Sequence, residues 1–312
     1  MPINRIKNID EIENQDGDKI SIADLASGMY GGSGGTVSAS GLAITREEDA
    51  DSIDYSFNVG GNTHEADGHS SSASHVMFAG GYDGSTLNTC DMKQFSTSSY
   101  SADHGDLTQA RSSLAAGSDG TQVMFGAGHN GSASPNVNTC DMKQFSDSSY
   151  SEGHGALTVA THSPAAASDG TQVMFGGGYR TASVNTVEIK QFSTDAIAVD
   201  HGDLTVARFA LAAGSDGTQV MFGGGRNGSY ANTVDMKQFS TAALAVDHGD
   251  LIQARRYLAA GSDGTQVMFG GGENGSRLDT CDMKQFSSAA NAVDHGDLTQ
   301  ERSGLSAGSG NA

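Results

Sequence analysis

The residues whose types and spacing could do chemistry recur as Asp-His-Gly-Asp. The first copy holds Asp103, His104 and Asp106, and the histidine returns at His154, His201, His248 and His295. An imidazole flanked by carboxylates can ligate a divalent metal or relay a proton. The chain carries its own test of that reading. In the second copy the segment is Gly153-His154-Gly155-Ala156, so both acids are gone while the histidine and glycine stay. A site that needed carboxylate ligands would not survive the change. The histidines are therefore expected to be structural, each filling core space and hydrogen-bonding a neighbouring unit. Catalysis is disfavoured for a related reason. An active site needs a unique, asymmetric constellation with separated pKa values, whereas near-identical units repeat the same weak groups. The chain reads as a non-enzyme, with no catalytic residue, no metal site and no cofactor expected.

Three further features have plain explanations. Asp-Gly pairs such as Asp216-Gly217 lack the dense acidic spacing of a calcium loop and are explained as tight turns. Asn-Gly-Ser at Asn130, Asn227 and Asn274 matches a glycosylation acceptor in form, but Asn-Gly is also a turn former. Cys90, Cys140 and Cys281 share one position in the motif NTCDMKQF, and Val187 and Val234 stand there in other copies. Cysteine exchanges with valine as a small buried apolar group, so reduced core thiols are expected.

These residues belong to a long repeat. The triplet VMF begins at Val76, Val123, Val173, Val220 and Val267, a period of 47 residues with one step of 50. KQF begins at Lys93, Lys143, Lys190, Lys237 and Lys284 at the same spacing. The one insertion falls between Gly128 and Asn138, where a surface loop tolerates it. Each unit parses into four short strands. The first is a run such as Leu211 to Gly214, followed by a Ser-Asp-Gly-Thr hairpin turn. The second, TQVMFGGG, is apolar on both faces, as for a strand sandwiched between neighbouring sheets. The third is NTVDMKQF and the fourth lies near AVDHGDLT. Four antiparallel strands in about 47 residues make a propeller blade, and blades must stack because one alone cannot bury both faces. The expected fold is an all-β propeller of about five four-stranded blades, with six as the alternative.

The units resemble kelch repeats. The double glycine after an apolar strand matches Gly80–Gly81, Gly177–Gly178, Gly224–Gly225 and Gly271–Gly272. The third-strand aromatic matches Phe95, Phe145, Phe192, Phe239 and Phe286, and the arginine opening the next unit matches Arg111, Arg208, Arg255 and Arg302. The chain has no tryptophan, and the His-Gly-Asp-Leu segment occupies its place. DHGDLTVAR followed by a VMFGGG strand is also similar to kelch-like repeats of marine bacteriophage structural proteins, such as tail fibre or decoration proteins. That resemblance spans residues 76 to 312 and implies a virion component assembled in the host cytoplasm.

Three regions are expected: an N-terminal arm and Gly-rich linker over 1–41, a connecting segment with one or two strands over 42–75, and the propeller over 76–312. The opening, with its ISIADL run, is similar to the anchoring ends of phage virion proteins, which implies attachment to other virion proteins. A loose tail is the alternative reading. Glu301 to Ala312 matches the first strand of a further blade, and is expected to pair with the strand at Val76 and close the ring.

The composition limits partners. Acidic residues number 37 against 17 basic, a net charge of −20, which repels phosphate backbones and anionic lipid. No nucleic acid or membrane insertion is expected, and the apolar core of a secretory signal is missing from Met1 to Gln15. Two places vary between copies: the loop after the second strand and the start of the first. Because strands alternate direction, both emerge on one rim of the propeller. That rim carries Tyr82, His129, Tyr179, Arg180, Phe209, Arg226, Tyr230, Arg256, Tyr257 and Arg277. Rings and guanidiniums are usual recognition anchors and suit sugars through stacking and bidentate hydrogen bonds. The expected function is host-surface glycan or virion-protein binding by a homo-oligomer or larger assembly. The alternatives are a cytoplasmic adaptor and, least favoured, a glycan-active enzyme.

Overall fold

The computed structural model describes residues 75–307 apart from 97, 133 and 134, and upstream of them the backbone of four strands. The Gly-rich linker, the rest of the arm and the last five residues lie outside the described residues. The chain forms two compact units, Met1–His64 and Glu65–Ala312. In the first, β1 (Glu11–Glu13) pairs antiparallel with β2 (Lys19–Ser21). The segment expected to hold one or two strands contains two: β3 (Leu42–Asp49) pairs antiparallel with β4 (Ser52–Val59), from Leu42↔Val59 to Asp49↔Ser52.

The second unit is a five-bladed β-propeller with no helix among the described residues. Blade 1 has three strands, β5 (His75–Ala79), β6 (Thr89–Gln94) and β7 (Ala102–Asp106). Blade 2 is β8 (Ala115–Ser118), β9 (Gln122–Gly126), β10 (Val137–Gln144) and β11 (Glu152–Thr161). Blade 3 is β12 (Ala165–Ser168), β13 (Gln172–Gly176), β14 (Thr186–Gln191) and β15 (Val199–Asp203). Blade 4 is β16 (Ala212–Ser215), β17 (Gln219–Gly223), β20 (Thr233–Gln238) and β21 (Val246–Asp250). The short hairpin β18 (Arg226–Asn227) and β19 (Ser229–Tyr230) sits in its loop. Blade 5 is β22 (Ala259–Ser262), β23 (Gln266–Gly270), β24 (Thr280–Gln285) and β25 (Val293–Asp297).

The inner hairpin turn shows why Ser-Asp-Gly-Thr recurs. Gly217 has φ +84°, which a side chain resists. Asp216 Oδ1 accepts the N–H groups of Thr218 and Gln219, and Gln219 Nε2 donates to Oδ2. The carboxylate is occupied by its own turn.

Packing between blades follows one template. In blades 2 to 4 the second strand buries both faces: Val220, Met221 and Phe222 are all fully buried. Its phenylalanine lies over a glycine of the preceding blade, Phe175 on Gly126, Phe222 on Gly176 and Phe269 on Gly223. A Cβ at Gly223 would sit 2.6 Å from the Phe269 ring, so glycine is what admits the ring. The histidines also span blades. Nε2 of His104, His154, His201 and His248 meets the carbonyl of Gln144, Gln191, Gln238 and Gln285 in the next blade at 2.9–3.0 Å.

The arginine of each link is buried in its own blade. Arg111, Arg208 and Arg255 pair with Asp141, Asp235 and Asp282 at 3.0, 2.8 and 3.2 Å, with every side chain 0 % exposed. Blade 3 departs from this. Thr161 replaces the arginine, and Glu188 takes the place of the aspartate, accepting from the Thr158 N–H at 2.7 Å and from its hydroxyl. Without a cation, burial raises the Glu188 carboxyl above its ordinary 4.5. The native state then holds its proton after the unfolded chain has lost it. Stability from this group is complete below the unfolded value and falls as pH rises through the folded one. Glu188→Gln is expected to melt higher than the parent at pH 7, with the difference vanishing toward pH 4. Thermal melts across that range check it.

Candidate binding surface

The links into each blade and the loops after each second strand meet at one end of the propeller, joined by bridges within each blade. Ser112 bridges His129, His162 bridges Tyr179, Phe209 bridges Arg226, and Arg256 bridges Glu273. Beside these pairs runs a belt of backbone hydrogen bonds between blades. Ser163 donates to Ser113, Ala210 to Ser163, Tyr257 to Ala210 and Gly304 to Tyr257, at 2.8–2.9 Å. Ser113, Ser163, Ala210 and Tyr257 hold φ between +53° and +56°. Such backbone is costly for side-chain-bearing residues and persists where surrounding contacts over-determine it. The belt supplies those contacts and fixes the neighbouring side chains on a rigid frame.

On that frame the rings and guanidiniums form one track. His129 and His162 lie edge to face at 5.7 Å, His162 and Tyr179 are tilted at 5.4 Å, and Tyr179 and Phe209 lie edge to face at 5.1 Å. Phe209 bridges Arg226, whose guanidinium lies 5.6 Å from the Tyr230 ring. Arg256 lies 5.8 Å from the same ring and 4.7 Å from that of Tyr257. Arg256 is held from the other side by Glu273, with Nε and Nη2 donating to Oε1 at 3.0 and 2.8 Å. Loops are also tied across blades: Asn136 Nδ2 donates to the Tyr179 carbonyl, and Ser183 Oγ to that of Arg226. A groove of about 640 Å³ opens between Tyr179, Phe209 and Arg226. His162 is pushed below its ordinary pKa, chiefly by burial and then by the neighbouring His129.

Seven of the ten residues expected on the rim join this track: His129, Tyr179, Phe209, Arg226, Tyr230, Arg256 and Tyr257. Arg180 and Arg277 are exposed beside it, and neither they nor Arg226 have a carboxylate at ion-pair distance among the described residues. Tyr82, on blade 1, stands exposed and apart from the track. Two members lay outside the expected set, His162 and Glu273. Both occupy the positions that vary between copies, which is the signal that marks them. The cysteines are free; Cys90 and Cys140 are buried, their thiols pushed up to about 11 and about 12 by desolvation. Among the described residues no cluster of three His, Cys, Asp or Glu side chains could hold a metal ion.

No model of a known protein family matches the chain, and no curated protein matches it. The fold and the surface define a repeat β-propeller, an architecture suited to an interaction scaffold.

Proposed function

We propose that this protein is a non-catalytic attachment or structural component of a phage particle, displaying a kelch-like propeller that binds host-surface glycan. The observation that carries the reading is the track of rings and guanidiniums in mutual contact across four blades on a fixed backbone. Sugar rings offer apolar faces that stack on Tyr179, Phe209, Tyr230 and Tyr257, and their hydroxyls or acidic groups suit Arg226 and Arg256. A preorganised surface loses little entropy on binding. The acidic remainder of the chain discourages other anionic contacts. In this reading the N-terminal segment joins other virion proteins.

Combined Tyr230→Ala and Arg256→Ala is expected to weaken attachment to host cells or isolated envelope glycan at least tenfold, a loss of about 1.4 kcal/mol, with the melting temperature nearly unchanged. Unchanged attachment by the folded variant would remove the rim from the function. Mass spectrometry of purified virions tests the setting separately.

A further inference from the structure

We propose that copies of this chain join head to tail, blade 5 of one copy seating on blade 1 of the next. The C-terminal segment of the first copy then supplies an inner strand to blade 1 of the second, where none lies among the described residues. The inference is independent of what the rim binds.

The joins inside the chain define what a join consists of: a histidine on a glutamine carbonyl at all four, a phenylalanine over a glycine at three, and, at three, a link arginine paired with an aspartate in the blade it opens. Blade 5 offers the first half of each, unengaged. Gly270 stands where Gly126, Gly176 and Gly223 receive a ring, yet a Cβ there would meet only Cys281 and Leu298 of its own blade. A groove of about 400 Å³ lies over it, lined by Met268, Gly270, Cys281, Leu298 and Leu305 among others. His295 is exposed, whereas its counterparts His104, His154, His201 and His248 are buried. Arg302 is exposed, whereas Arg111, Arg208 and Arg255 are fully buried.

Blade 1 offers the matching halves. Phe78 is 52 % exposed, although its counterparts from Phe125 to Phe269 are at most 3 %. Phe95 is 62 % exposed, against 6 % for Phe192, Phe239 and Phe286. Asp91 holds the position of Asp141, Asp235 and Asp282. Among the described residues no strand lies on the free edge of β5, where each other blade has its inner strand. The C-terminal segment already follows the path of an inner strand. Arg302 exchanges backbone bonds with Leu278 and Gly272, Gly304 continues the belt, and a Cβ at Gly271 would meet Leu305 as one at Gly224 would meet Leu258. The pairing of this segment with the strand at Val76 that the sequence leads one to expect within one chain is not made among the described residues; the proposal makes it between molecules. The contact is heterologous, so it builds rings or filaments.

Two variants with one blocked end each test this. Phe78→Glu charges the ring position of blade 1. Gly270→Leu fills the groove of blade 5, where a Cβ makes only ordinary contacts and φ is not positive. By sedimentation, the parent is expected to exceed its 31.9 kDa monomer mass at micromolar concentration and to dissociate on dilution. Each variant alone is expected to be a folded monomer, and the two mixed to form a one-to-one dimer through their remaining good ends. A parent that stays monomeric at 100 micromolar would overturn the proposal in favour of closure within one chain. So would a mixture of two folded variants that fails to associate.

Discussion

Asp235→Ala is expected to lower stability by about 3–5 kcal/mol, the range for removing one partner of a buried ion pair. Asp235 and Arg208 are both 0 % exposed and 2.8 Å apart. Arg208 also donates to the carbonyls of Phe222, Gly224 and Thr233, so it ties the second and third strands of blade 4 to the link entering it. Asp235 accepts from the Thr205 N–H and hydroxyl in blade 3. Truncating it strands a guanidinium in the interior and frees two donors in the preceding blade. Burial already drags the Arg208 pKa down, and Asp235 is its chief opposing influence. A well-packed apolar pair, Arg208→Met with Asp235→Leu, is expected to recover much of the loss, because the desolvation penalty disappears with the charges. Urea unfolding followed by circular dichroism measures both variants, since the chain has no tryptophan to report. A loss below about 1 kcal/mol would show that the pair is solvated in practice.

Blade 3 shows how that lock can be absent, and why the sequence reading missed it. Arg208 was legible as the mark that opens a unit, but nothing in linear order says that its partner is Asp235 on the third strand. The exchange of Thr161 for arginine together with Glu188 for aspartate is the covariation that reveals the contact once the strands are aligned. The KQF lysine was similarly opaque. An alternating strand does not separate a buried lysine from an exposed one, yet Lys237 is buried and its Nζ donates to the Thr241 carbonyl at 2.6 Å. Its burial rests on a turn that follows the strand.

The blade itself was legible because the same alternation and turn chemistry recur. The inner strand expected at Leu211 to Gly214 is Ala212–Ser215, and the doubly apolar second strand of the same blade is buried on both faces. The recognition surface was legible in part, since variation between copies separates scaffold from display. Choosing rings and guanidiniums found seven track members but passed over His162 and Glu273, which matter through a ring contact and an ion pair. Tyr82 fits the pattern by type and position. The track runs along blades 2 to 5, and Tyr82 sits on blade 1.

The repeat also permits one substitution to be made in two environments. Phe222→Ala is expected to cost about 3–5 kcal/mol, the transfer energy of the ring plus the cavity it leaves. Phe222 is fully buried, packed on Gly176 of blade 3 and within a core that includes Met174, Val187 and Leu204. The backbone belt and the His201 bond hold the two blades in place, so the interface cannot collapse to fill the space. Phe78→Ala removes the same ring from the same position of blade 1, where 52 % of the residue is exposed. In dilute protein it is expected to change stability by no more than about 0.5 kcal/mol, as surface substitutions do. The contrast depends on concentration. If blade 1 is covered by another copy, the cost of Phe78→Ala grows as protein concentration rises, while that of Phe222→Ala does not. Thermal melts of both variants at low and high concentration separate the cases. A large, concentration-independent cost at Phe78 would mean that the ring is buried within its own chain.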